Sequence, residues 1–512
     1  MRRLLLPLSL GLCLMATAQK KANPGTYAKT ITAADMKKHL YIIASKEMEG
    51  RDTPSPGLEK AADYIEAHFK SLGLLPGNNG SYRQTYPLYK DSVTGTSLKV
   101  NGASFDLNRD FQPNANGNHT ADLRFSQVAF AGYGIVDGAI DDYKDLDVKG
   151  RLVLILDGSP AGYKPSTAGF ASPANIFGKI RNAQAKGAAA VLVVYGNFPR
   201  KTFNSTSNYS MNGYPATIMP QSFYISESVA EKIMGAENKG LIEKMKSAAV
   251  PAKIYNAEIE LGFSKTSKVA YASNVVGVLE GTDKKDEYVL LTSHYDHVGK
   301  RNDTTIFYGA DDDGSGTTTV LEMAEAFAKA KAEGKGPRRT IVFMTVSGEE
   351  KGLWGSAYYA NHPLFPLEKT TVDLNIDMVG RIGEEYLKDK DSTNYVYIIG
   401  DDKLSTDLAT ITDQVNKQNV KMKLDRKYND PNDKNRFYYR SDHYNFAEKG
   451  VPVIFYFNGV HADYHRPTDT PDKINYPLMA KRGQLVFYTA WEMANRNDML
   501  KRDLTLEKPK GF

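Results

Sequence analysis

The stretch Y-V-L-L-T-S-H-Y-D-H-V-G, residues 288–299, decides how this chain reads. Tyr288 to Thr292 is an apolar run of strand length, and His294, Asp296 and His297 follow it directly. The same order recurs downstream. Thr340 to Val346 leads into S-G-E-E with Glu349 and Glu350, and Val372 to Ile376 leads into Asp377. Pro452 to Phe457 leads into H-A-D-Y-H-R-P-T-D-T with His461 and His465. Between the first two runs, G-A-D-D-D-G-S-G (309–316) sets Asp311, Asp312 and Asp313 just ahead of a helical segment, Thr317 to Ala332, whose Val320, Met323, Ala324 and Phe327 share a face. Tyr395 to Ile399 adds a strand and Thr406 to Gln418 a helix. Strands alternating with helices predict an α/β fold: a mixed, mostly parallel sheet sandwiched by helices.

In such a sheet the ligand crevice lies beyond the carboxyl ends of the strands, so loops distant in sequence converge there. Converging carboxylates repel one another unless cations sit between them, and a set of His and carboxylates suits zinc. Two ions sharing a carboxylate and a water form a hydrolytic centre. Taken singly, each piece has an ordinary explanation. An Asp-rich turn before a helix is a cap, paired glutamates are surface charge, and one strand-end histidine is structural. Their conjunction at four successive strand ends, with six of nine histidines beyond residue 290, favours a dinuclear metal hydrolase. No H-E-x-x-H, G-x-S-x-G or G-x-x-x-x-G-K-[ST] motif competes with that reading.

Composition narrows the class further. The chain has 512 residues, 41% hydrophobic and 24% charged, which suits a folded protein of two or three domains. Its 65 basic and 60 acidic residues are interspersed without a basic stripe, so no nucleic-acid partner is expected. Arg2 and Arg3, the apolar stretch Leu4 to Met15 and Ala16-Thr17-Ala18 have the layout of a secretory signal peptide, residues 1–18, too short to span a bilayer. The expected mature protein is exported, periplasmic or secreted, without a membrane span. The lone cysteine, Cys13, lies in that segment, so neither disulfides nor thiolate ligands are expected afterwards.

S-H-Y-D-H, G-A-D-D-D-G-S-G, S-G-E-E-K-G-L-W-G-S, N-I-D-M-V-G and Y-H-R-P-T-D-T resemble, in order and spacing, the M28 family of co-catalytic zinc peptidases. M-E-G-R-D-T-P-S-P-G (48–57) and the helix after it resemble the family's N-terminal piece. The resemblance implies two Zn2+ per chain, one held by His294 and Asp377, the other by Glu350 and His465, with Asp312 bridging. It implies Asp296 as the acceptor for the second ring nitrogen of His294, Glu349 as general base and Tyr438 as an oxyanion donor, a role that neighbouring Tyr439 or simple packing contests. The x-P-x-D-T that follows favours His465 over His461; His297 and His443 could face the pocket, but structural roles are favoured. V-K-G-R-L-V-L-I-L-D-G (148–158) and A-K-G-A-A-A-V-L-V-V-Y (185–195) resemble an inserted, β-rich protease-associated (PA) domain. The expected layout is 19–119 as the N-terminal part of the peptidase, 120–268 as the insert and 269–512 as the main part. The implied activity is that of an aminopeptidase acting on peptide or protein N-termini. Carboxypeptidase or dipeptidase action on the same scaffold is the alternative, and a non-catalytic receptor-like protein a remote third.

Overall fold

A computed structural model describes residues 22–167, 172–211, 218–247 and 250–507. The expected signal segment, 1–18, and Cys13 lie outside the described residues. The chain divides into two compact units, one formed by residues up to Thr85 together with Ser273–Glu507, the other by Tyr86–Ala272.

The first unit is built on the strands that the apolar runs predict. Val453–Phe457, Thr370–Ile376, Lys284–His294 and Arg339–Val346 lie side by side and parallel. Thr370–Ile376, Arg339–Val346 and Val453–Phe457 are buried throughout, which explains why they read as unbroken apolar runs and not as alternating ones. Antiparallel neighbours close both sides of this parallel core: Tyr395–Ile399 pairs with Val453–Phe457, and residues 275–279 pair with Arg339–Val346. The result is the expected mixed, mostly parallel sheet. Helices Ala33–Ile43, Gly314–Ala332 and Tyr476–Asn495 pack on one another, and the latter two also on the central strands. Trp354–Asn361 and His443–Glu448 form a second helical group, the latter packing on Val453–Phe457.

The N-terminal loop and helix follow local rules. Ser55 caps Pro56–Ser71 by accepting from the Leu58 N–H at 3.1 Å, with proline at the first helical position. Ala61, Ala62, Ile65 and Phe69, at helical spacing, are fully buried, and Leu72 is partly buried. Among the described residues no helix is long and apolar enough to cross a membrane.

In the second unit Ala121–Phe130, Leu152–Leu156, Ala190–Val194 and Gln221–Ile225 are parallel. Phe111–Pro113 and residues 253–263 flank them antiparallel. Helices Ile176–Ala185 and Glu227–Met234 make the unit an α/β one and not simply β-rich. Residues 86–119, grouped from the sequence with the N-terminal part, pack within this unit. Leu98, Val100 and Phe111 join its core beside Leu154, Leu192 and Phe223. Their polar, Asn/Gly-rich texture conceals these few inward-facing residues.

Candidate metal centre

Strand register sets the site. His294 ends its strand opposite Val346, and Asn375 lies opposite Phe455, so Glu349, Glu350, Asp377 and the 461–465 loop leave the sheet at one edge. The Asp triplet enters the same place at the start of Gly314–Ala332. Gly316 permits the approach, since a Cβ there would stand 2.1 Å from the Ile376 carbonyl oxygen.

The three adjacent aspartates face three ways. Asp313 caps the helix: its Oδ1 accepts from Gly316 N–H (2.8 Å) and Met378 N–H (3.0 Å). Asp311 accepts from Gly380 N–H at 2.6 Å and meets His461 Nε2 at 3.0 Å. Only Asp312 projects between two histidines. Its Oδ1 lies 3.3 Å from His294 Nε2 and its Oδ2 3.0 Å from His465 Nε2. Asp377 Oδ1 stands 3.6 Å from His294 Nε2, and Glu350 Oε2 3.0 Å from His465 Nε2. Asp312 thus lies between a His294–Asp377 pair and a Glu350–His465 pair.

Charge explains why these groups need cations. Two carboxylates about 4 Å apart repel by roughly 4 kcal/mol at an effective dielectric near 20, more than an ordinary hydrogen bond returns. His294 and His465 are pulled toward the protonated form. Burial opposes the charge on His465, yet Asp312 and Glu350 raise it to about 10. Burial likewise opposes charge on His294, and Asp377 and Glu349 drive it well above the ordinary histidine value. Burial holds Glu349 well above the usual glutamate range, with Glu350 and Asp377 adding to the rise. His294 Nε2, His465 Nε2, Asp312 Oδ2 and Glu350 Oε1 are all buried without a hydrogen-bond partner. Nitrogen and carboxylate oxygens left unsatisfied around shared points are donors suited to a metal such as zinc. His294, Asp313 and Asp377, and separately His297, Asp312 and Glu350, each bring one donor atom within 4.8 Å of the others.

Several placements differ from expectation. His294 Nδ1 lies 3.1 Å from the backbone carbonyl of Asp296, so it donates there; the Asp296 carboxylate stands 3.6 Å away and accepts from the Glu349 N–H. Asp296 therefore holds the His294 ring through its main chain and the Glu349 backbone through its side chain. Tyr438 is not brought to the centre. Its ring is buried among Tyr439, Tyr444 and His443 and lines a different cavity with Asp402 and Tyr428. Tyr464, stacked on His465 at 3.9 Å, lines the cavity that holds Asp312, Glu349 and Asp377. His297 reaches the centre, with Nδ1 2.8 Å from Glu350 Oε1. The sequence allows His297 to face the pocket but favours a structural role.

Arg51 was also missed as a site residue, although its motif was visible. It is fully buried and donates to four carbonyls: Tyr295 (2.7 Å), Ile43 (2.8 Å), Tyr308 (2.8 Å) and Gly309 (2.9 Å). It thereby fixes the loops on both sides of the ligand set.

Residues 274–490 match the model of peptidase family M28. Over 380 residues the chain is 25% identical to aminopeptidase YwaD of Bacillus subtilis, covering 71% of this chain and 66% of that protein. Over 120 residues it is 33% identical to a probable glutamate carboxypeptidase, LAMP1, of Arabidopsis thaliana, covering 23% of this chain and 16% of the other. The chain thus spans less than two thirds of either curated relative. An aminopeptidase structure from Aneurinibacillus sp. strain AM-1 shares the fold, with a TM-score of 0.53 at 20% identity over 94% of this chain and 99% of that one. The M28 segment contains His294, Asp312, Glu349, Glu350, Asp377 and His465.

Proposed function

We propose that the chain is an exported M28 aminopeptidase that uses two zinc ions to release N-terminal residues from peptides. The observation that carries this reading is Asp312, set between His294 and His465 at 3.3 and 3.0 Å with Asp377 and Glu350 beside them. His294 and Asp377 would hold one ion, Glu350 and His465 the other, and Asp312 both. Bound there, zinc would acidify a shared water and polarise the scissile carbonyl. Glu349 Oε2 lies 4.0 Å from His294 Nε2, inside the centre yet outside the ligand set. Its raised proton affinity fits a base that takes a proton from the attacking water and returns it to the leaving amine.

The adjoining cavity is lined by Met378, Phe437, Phe455, Phe457 and Val460 beside the acidic residues. An apolar side chain would fill that floor while the substrate's ammonium group faces carboxylates. We read residues 86–272 as the PA-type insert. A second reading, carboxypeptidase or dipeptidase action, is favoured by Arg440 on the same cavity, a cation able to receive a C-terminal carboxylate.

Chelator-treated enzyme is expected to lose hydrolysis of amino-acid anilides and regain it with zinc, and Glu349→Gln to lower kcat by about 100- to 10,000-fold. Efficient cleavage of N-acetylated peptides, with C-amidated ones spared, would overturn the aminopeptidase reading in favour of the second.

A further inference from the structure

Away from the strand-end loops, two histidines and two glutamates meet where helices Ala33–Ile43, Pro56–Ser71 and Gly314–Ala332 pack. His39 Nε2 lies 3.2 Å from Glu325 Oε1 and 3.7 Å from Glu322 Oε1. His68 Nε2 lies 3.4 Å from the same Glu325 oxygen. Glu322 and Glu325, three residues apart, share one helix face. None of the four belongs to the catalytic loops.

His39 Nε2 and Glu325 Oε1 are within hydrogen-bond distance, while the other two contacts are longer and suit a metal as the bridging charge. Charge-assisted N–H···O bonds run about 2.7–2.9 Å, shorter than all three contacts. Ligands 2.0–2.2 Å from a tetrahedral zinc stand about 3.3 Å apart, within the range of these contacts. The polar atoms are also unsatisfied. Glu322 is 1% exposed, and neither of its carboxylate oxygens has a hydrogen-bond partner; His68 Nε2 is likewise buried and unpartnered. The nearby ammonium of Lys38 is engaged by Asp35 at 2.6 Å. The outer shell is in place too: His39 Nδ1 meets the Tyr64 hydroxyl at 2.7 Å, which fixes the ring and leaves Nε2 to face the glutamates. The Glu325 side chain is 38% exposed and opens the cluster to solvent, giving an ion a way in.

We propose that His39, His68 and Glu325, whose donor atoms all lie within 4.8 Å of one another, form a separate divalent-metal site suited to zinc, distinct from the catalytic pair, with the Glu322 carboxylate beside it. An ion there ties three helices together. One of them, Gly314–Ala332, begins directly after Asp312 and Asp313, with the site further along the helix and away from substrate.

The test uses the full chain, stripped with chelator, dialysed against zinc and measured for zinc by elemental analysis. Glu325→Gln and His68→Ala are each expected to carry one zinc fewer per chain than the unsubstituted protein. Both should hydrolyse anilides at the unsubstituted rate and show a smaller zinc-induced rise in Tm. Cobalt loading should show one visible band set absent from both variants. Zinc content and zinc-induced Tm rise unchanged in the near-isosteric Glu325→Gln protein would overturn the proposal. So would a one-zinc loss in His68→Ala that Glu325→Gln does not share.

Discussion

His443 shows how a single buried group sets an acid limit. It is fully buried, stacked on Phe455 at 4.9 Å and set edge-on to Tyr438 at 5.4 Å, and neither ring nitrogen has a hydrogen-bond partner. Burial pushes it down from 6.5 to about 3. Between those values the unfolded chain takes up a proton that the native chain does not, so stability falls as pH falls, by at most about 1.4 kcal/mol per pH unit. A phenylalanine preserves the ring packing and removes the proton site. In metal-free protein, His443→Phe is therefore expected to lose Tm less steeply than the unsubstituted chain from about pH 6.5 to about pH 4. Parallel Tm–pH curves measured by differential scanning fluorimetry would refute the assignment. Chelating both proteins first keeps metal release out of the comparison.

Strands and helices were the legible part of the sequence, because a strand buried on both faces has to be written as an unbroken apolar run. Tyr395–Ile399 was located to the residue, but its antiparallel direction was not, since direction depends on where the chain returns. Ligand-type residues were visible for the same reason as the strands: carboxylates and histidines directly after an apolar run are costly unless something compensates them. What stayed hidden depends on how loops bend. His297 and Tyr464 enter the centre, and Tyr438 leaves it, through turns that no spacing rule specifies. Arg51 belongs here too, because its role is to join elements. Lysine keeps the charge but cannot fork to carbonyls at Ile43, Tyr295, Tyr308 and Gly309 together, and each orphaned buried carbonyl costs about 1–3 kcal/mol. Arg51→Lys is expected to lower Tm by several degrees and to weaken zinc binding roughly tenfold or more, read by competition with a chromogenic chelator. Unaltered zinc affinity would show that the loops hold their shape without it.

The division into two units makes a stronger demand on the polypeptide. Every candidate ligand, the Arg51 clamp and the helix cluster lie in the unit formed by residues up to Thr85 and Ser273–Glu507, and the other unit has its own apolar core around Leu154, Leu192 and Phe223. Within the first unit the two ends of the interruption come together. Val276 N–H donates to the Tyr82 carbonyl at 2.7 Å, Asn274 Nδ2 to Gln84 Oε1 at 3.0 Å, and an Arg83 Nη to Ser273 Oγ at 3.3 Å. A segment that leaves and rejoins at adjacent points can be removed without stretching the remaining chain, as inserted domains generally can. Replacing residues 86–272 with a short Gly/Ser linker is therefore expected to leave a protein that unfolds cooperatively. It should bind as much zinc per chain as the full-length protein and hydrolyse a small anilide within roughly tenfold of the full-length rate. Calorimetry of the intact protein provides the complement. Chelation should lower the transition of the ligand-bearing unit and leave that of residues 86–272 in place, because metal stabilises only the unit that binds it. A shortened protein that fails to fold, or a single transition that moves as a whole on chelation, would mean that the two cores are one cooperative structure and that the insertion reading is wrong.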